Sequence, residues 1–161
     1  MSENNDLQYP FSLNAEAIRE LLPHRGCIVA YDSLTIEGPH TFVGKARWDR
    51  QNPIIEGHFP TLPIVPGVML IEALAQLAGA GLLAGDPYVR SLPKDQLGML
   101  AGTRNCWFKA PVRPEEEVVF HIQCRQFAER ITLAAATVKV GDVEVAKLEI
   151  SIAYAETPAL A

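Results

Sequence analysis

His58 and Glu72 are the side chains best placed to move protons, and the segment around them, EGHFPTLPIVPGVMLIEALAQ from Glu56 to Gln76, is otherwise mostly apolar or turn-forming. An unperturbed imidazole titrates at about 6.5 and is largely neutral near pH 7, so His58 can accept a proton. A carboxyl group set in an apolar run can hold a proton and donate it, which makes Glu72 the candidate acid. Between the two, Pro66-Gly67-Val68 reads as a helix start: Pro presets the backbone and Gly lets a ligand approach closely. The N–H of Gly67, or of its neighbour Val68, can then hold an oxygen on which negative charge develops, aided by the helix dipole. Gln76 falls four residues beyond Glu72 on the same helical face, where it can orient the carboxyl group. The helix N-terminus favours a carboxylate at Glu72 and burial favours the protonated acid. Glu72 lies more than a turn beyond Gly67, where the dipole has faded, so burial is expected to dominate.

Taken singly, a buried His or Glu is more often a satisfied structural group than a catalyst. The remaining histidines read that way: His24 near the end of a first helix, His40 after a turn, and His121 in a strand. Nothing resembles HxxxH or a carboxylate-rich loop, so no metal is expected.

The groups above need a frame. From Val68 to Ala84 the only strongly polar side chains are Glu72 and Gln76, the pattern of a helix enclosed by protein. A membrane span is the rival reading, disfavoured by an ionisable group and by Gly79 and Gly81. Upstream, Asn14 can cap a short helix that ends before Pro23, with Ala17, Ile18, Leu21 and Leu22 on one face. Strand-like runs Ile28 to Ile36 and Thr41 to Trp48 flank the turn signal Gly38-Pro39. After a polar loop from Asp86 to Asp95, four runs suggest a meander: Leu97 to Phe108, Val118 to Phe127, Ile131 to Val140 and Val143 to Tyr154. Ala128-Glu129 and Gly141-Asp142 supply the later turns. One buried helix and about six antiparallel strands pack simply if a curved sheet wraps the helix. The expected fold is therefore α+β, a single hotdog domain over residues 1–161, with residues 1–10 a loose N-terminal arm. Its edge strands invite a dimer with a continuous sheet.

Bulk properties agree with one domain: 161 residues, 48% hydrophobic and 20% charged, can build a sizeable core. The net charge of −5 argues against bulk attraction to nucleic acid or anionic lipid. Met1 to Gln8 lack the basic start and apolar run of an export signal, so a cytoplasmic location is the default. Cys27, Cys106 and Cys124 are odd in number and widely spaced, and read as small reduced core residues.

Gly-His-Phe-Pro, Pro-Gly-Val and Glu-Ala-x-Ala-Gln, at the spacing found from Glu56 to Gln76, resemble the active-site segment of the 3-hydroxyacyl-acyl carrier protein dehydratases. Leu22 to Arg25 (LPHR) with Asp32, and Phe108-Lys109 with Pro111-Val112 and Pro114, resemble two further segments of that family, so the likeness runs from about residue 20 to residue 155. The resemblance implies elimination of water from a 3-hydroxyacyl thioester to give the trans-2-enoyl thioester. His58 would be the base, Glu72 the acid and the Gly67 N–H the group that polarises the thioester carbonyl. It implies no cofactor beyond the phosphopantetheine arm that presents the substrate. It also implies an acyl carrier protein partner and a homodimer in which His58 of one subunit faces Glu72 of the other, and it leaves open a trimer of dimers. Glu72, where an Asp marks the isomerising branch, points to dehydration alone.

Phe59, Met99 and Leu100 occupy stretches that resemble the family's acyl tunnel. Lys109 and Arg113, with Arg25, Arg90, Lys94 and Arg104, are candidates to ring its mouth and meet the acidic carrier. A solvated surface is the plainer reading of those charges. The sequence departs from the family at Gly26-Cys27-Ile28, where relatives have Tyr-Pro-Phe, and at Thr61-Leu62, which interrupts the usual Gly-x-Pro. Such a pocket also suits two other roles: an acyl thioesterase, whose carboxylate directs water at the carbonyl, and a non-catalytic acyl-thioester binding protein.

Overall fold

A computed structural model describes residues 6–156. Strand β1 (Phe11–Asn14) leads into α1 (Ala15–Leu21), where the Asn14 side chain accepts the Ala17 N–H at 2.9 Å, the expected cap. A 3-10 turn (Gly26–Ile28) precedes the hairpin of β2 (Ser33–Gly38) and β3 (Thr41–Ala46). Helices α2 (Pro53–His58), α3 (Gly67–Gly85) and α4 (Pro87–Ser91) follow. Four long strands close the chain: β4 (Gln96–Phe108), β5 (Val118–Ala128), β6 (Ile131–Val140) and β7 (Val143–Glu156).

All seven strands join one antiparallel sheet in the order β1-β2-β3-β5-β6-β7-β4. The sheet therefore has one strand more than the six read from the sequence. The extra one, β1, directly follows the expected arm, whose end is anchored: the Tyr9 hydroxyl donates to the Gly85 carbonyl at 2.5 Å and its ring stacks on Phe11. Residues 1–5 of that arm lie outside the described residues. The run from Ile28 does not begin a strand, because the Ile28 carbonyl and the Ala30 N–H are bonded to the Gln76 side chain instead of to a neighbouring strand. Strands β5, β6 and β7 form the expected meander, whereas β4 lies beyond β7 and pairs with the chain's last strand. The expected polar loop contains α4, capped by Asp86, whose Oδ1 accepts from the Tyr88 and Val89 N–H groups.

Alternating burial along β2, β3 and β5 gives the sheet one apolar face, and α3 lies against it. Leu70, Leu74, Leu77 and Leu82 of the helix meet a core that includes Leu34, Phe42, Phe120, Val138, Leu148 and Ile150. Close approach is bought by glycine: a Cβ on Gly81 would stand 2.5 Å from the Phe42 ring. Among the described residues α3 is the helix long and apolar enough to cross a membrane, yet most of it is buried inside the chain by the sheet and α1. Of the three cysteines only Cys124 is a core residue; Cys27 is exposed and Cys106 half-buried, a correction to the expectation for all three.

Strand β4 departs from the pattern. Most of its residues are exposed, including Met99, Leu100, Trp107 and Phe108, and among the described residues no strand pairs with its outer edge. Its register against β7 shifts twice, between Leu100 and Gly102 and between Arg104 and Trp107, with Asn105 at φ 51 in the second shift.

Candidate active site

The loop that carries His58 is fixed at both ends. Asn52 accepts the Ile54 N–H at 2.9 Å and donates to the Cys27 carbonyl at 3.1 Å, and Pro53 starts α2, so His58 falls at the C-terminal end of a capped helix. Farther on, the Val65 N–H donates to the Val112 carbonyl at 2.8 Å. The His58 Nδ1 lies 3.2 Å from the Ile64 carbonyl oxygen, and its ring packs on Phe59 at 4.0 Å between centroids. A carbonyl only accepts, so the hydrogen sits on Nδ1 and the lone pair is left on Nε2.

Glu72 projects from α3 into a different environment. Its Oε1 accepts from Gln76 Nε2 at 2.7 Å, and His24 Nε2 approaches the same oxygen at 3.5 Å. Gln76 is 1% exposed, and its amide also accepts from the Ala30 N–H at 2.9 Å and donates to the Ile28 carbonyl at 2.8 Å. The glutamine is thus satisfied on both ends, and the carboxyl inherits its rigidity. The Glu72 side chain is 27% exposed, so one chain alone does not complete the burial expected for it.

At the start of α3 the N–H groups of Gly67 and Val68 have no intrahelical acceptor. Gly67 faces the Phe108 ring, 3.0 Å from where a Cβ would stand, and Val68 is 69% exposed. A half-open cleft of about 1560 Å³ runs beside α3, lined by Glu72, His24, Gly79, Leu83, Met99 and Leu100 among others. Two of the three tunnel candidates, Met99 and Leu100, therefore share a cleft with Glu72, while Phe59 lies on the His58 side.

Among the described residues no hydrogen bond or ion pair joins His58 to Glu72, and His58 does not line the cleft. Most of the basic candidates are engaged. Lys109 is paired with Glu144, whose carboxyl that hydrogen bond holds below the usual carboxylate range, and Arg113 lies 3.9 Å from Glu116. Arg25 donates to the Leu22 and His24 carbonyls, Arg90 to the Ala84 carbonyl, and Arg104 to Glu149. Arg90 and Lys94 line one stretch of the cleft. Among the described residues no group of three or more His, Cys, Asp or Glu side chains could hold a metal.

Two features were missed in the sequence. The Asn52-Pro53 pair signals the cap and first position of α2 and was available to find it. No local signal brings His24 to Glu72.

A long helix sheathed by one curved antiparallel sheet, with a glycine at the helix start and a clamped carboxyl on the helix, defines a hotdog domain. The model of the FabA-like domain family matches residues 25–149. The chain is 33% identical over 140 residues to the 3-hydroxyacyl-[acyl-carrier-protein] dehydratase FabZ of Caldanaerobacter subterraneus subsp. tengcongensis, covering 86% of this chain and 96% of that one. It is 34% identical over 140 residues to the FabZ of Thermoanaerobacter pseudethanolicus, covering 86% and 95%. This chain belongs to the FabZ/FabA-like family of hotdog-fold 3-hydroxyacyl-acyl carrier protein dehydratases. The fold is shared with the dehydratase heterocomplex ApeI:P from Xenorhabdus doucetiae, at a TM-score of 0.72 and 15% identity over 89% of this chain and 93% of that one. Membership supports a dehydratase reaction of the FabZ kind.

Proposed function

We propose that two copies of the chain join along β4 and that each composite site dehydrates a 3-hydroxyacyl thioester carried on acyl carrier protein. His58 of one subunit and Glu72 of the other would then form one site. The observation that carries this reading is the clamp on Glu72: a carboxyl held by a fully bonded glutamine, on the wall of an apolar cleft. An exposed thirteen-residue edge strand supports the assembly, because such an edge rich in large apolar side chains is a template for pairing with a second copy.

In this mechanism the substrate carbonyl accepts a hydrogen bond from the Gly67 N–H, with Val68 as its neighbour, so charge that develops on the oxygen is stabilised at the helix start. His58 Nε2 removes a proton from C2, the electron pair forms the C2–C3 double bond, and the C3–O bond breaks. Glu72 protonates the departing hydroxyl, which leaves as water. The proton on His58 then returns to Glu72 before the next turnover. The acyl chain lies past Phe59 and along Met99 and Leu100. Lys109 and Arg113 meet the acidic carrier once its phosphates and carboxylates displace Glu144 and Glu116.

Incubation of the protein with a 3-hydroxyacyl thioester, following enoyl absorbance and free thiol in parallel, tests the reaction. Enoyl product without thiol is expected. Thiol release without enoyl product identifies a thioesterase, and saturable binding with neither identifies a binding protein.

A further inference from the structure

We infer that His24 is a positioning residue for Glu72: with Gln76 it makes Oε1 the accepting oxygen and leaves Oε2 to carry the proton given to the departing hydroxyl. This rests on the dehydratase reading above. Both polar approaches to the carboxyl fall on one atom, Gln76 Nε2 at 2.7 Å and His24 Nε2 at 3.5 Å from Oε1. An amide nitrogen can only donate, so Oε1 is an acceptor, and an acid that donates must then keep its hydrogen on Oε2. The His24 approach is longer than a good hydrogen bond, as catalytic contacts often are before substrate binds.

His24 is aimed, not loosely placed. Leu22 is buried against the core, and the Arg25 guanidinium donates to the Leu22 carbonyl at 2.7 Å and the His24 carbonyl at 2.6 Å, which pins the turn that carries the ring. The ring lines the same cleft as Glu72. His24 Nε2 stands 3.5 Å from Oε1, within reach of a hydrogen bond once the site tightens, and Nδ1 is buried with no hydrogen-bond partner among the described residues. When Glu72 has given up its proton, Gln76 already donates to the new carboxylate and His24 needs to move only a few tenths of an ångström to add a second donor.

The test compares His24→Asn, whose amide is too short to reach Oε1, with His24→Gln, whose amide can reach it. Both are assayed with a 3-hydroxyacyl N-acetylcysteamine thioester, alone and in a Glu72→Gln background, with melting temperatures recorded. His24→Asn should lower kcat about tenfold or more with KM within about twofold, as expected for loss of a donor to a charged group. His24→Gln should recover most of that loss, and in the Glu72→Gln background His24→Asn should cost nothing further. Equal losses in Asn and Gln variants, an undiminished kcat in His24→Asn, or the same fold-loss with and without Glu72 would each overturn the inference while leaving the dehydratase reading in place. A wild-type protein that forms no enoyl product overturns both.

Discussion

Gln76 and Glu72 are joined by a 2.7 Å hydrogen bond whose donor is itself held by two backbone groups of another segment, the Ile28 carbonyl and the Ala30 N–H. One buried amide thus ties the wall of the fold to the carboxyl proposed as the acid. Replacing it with an apolar residue of similar size leaves the buried Ala30 N–H and the part-buried Ile28 carbonyl unpaired. Gln76→Leu should destabilise the protein by about 2–6 kcal/mol, at about 1–3 kcal/mol for each orphaned group, and lower kcat as well. Chemical denaturation measures the first and turnover the second; a fully stable variant would show that the clamp is dispensable.

Packing of α3 on the sheet depends on Gly81. A Cβ there would meet the fully buried Phe42 ring at 2.5 Å, so Gly81→Ala should cost about 1–3 kcal/mol through overpacking. Adding Phe42→Leu should recover part of that loss. Thermal unfolding of the single and double variants gives the answer, and additive losses would argue against a direct clash.

The outer edge of β4 should hold the dimer together. Leu100 is 46% exposed and Trp107 66% exposed on this strand. Leu100→Lys combined with Trp107→Lys should shift sedimentation toward monomer and remove most dehydration, while circular dichroism stays that of a folded chain. A monomer with full turnover would contradict a shared site.

Thiol chemistry separates the cysteines. Burial, with Asp86 adding to it, pushes the Cys124 thiol up to about 12, while Cys27 is exposed. Since the thiolate is the nucleophile, an alkylating reagent at about pH 8 should modify Cys27 well before Cys124, which should react only on unfolding. Peptide mapping after a timed exposure reads this directly.

Most of the fold was legible because its signals are local. The run from Val68 to Ala84 announces a buried helix by carrying only Glu72 and Gln76 as strongly polar residues, and Asn14 announces a cap. What the sequence hid is non-local. Strand β4 precedes β5 in the chain yet pairs with β7, and no periodicity encodes that choice. The 28–30 segment reads as strand, but its backbone is satisfied by a side chain 46 residues away, from Ala30 to Gln76. On α3 the pairing of Gln76 with Glu72 was readable from their four-residue spacing. The approach of His24 to Glu72 has no such signal, because it depends on how α1 packs against α3.

Complementation between two inactive variants shows whether His58 and Glu72 act together across two subunits. His58→Ala and Glu72→Gln homodimers should each lose about 10²–10⁴-fold in dehydration of a 3-hydroxyacyl thioester, the usual contribution of a general acid or base. Unfolded together, refolded and assayed, they should regain about a quarter of wild-type activity, since half of the dimers are mixed and each mixed dimer holds one intact site of two. A mixture no more active than its parents would contradict the shared site.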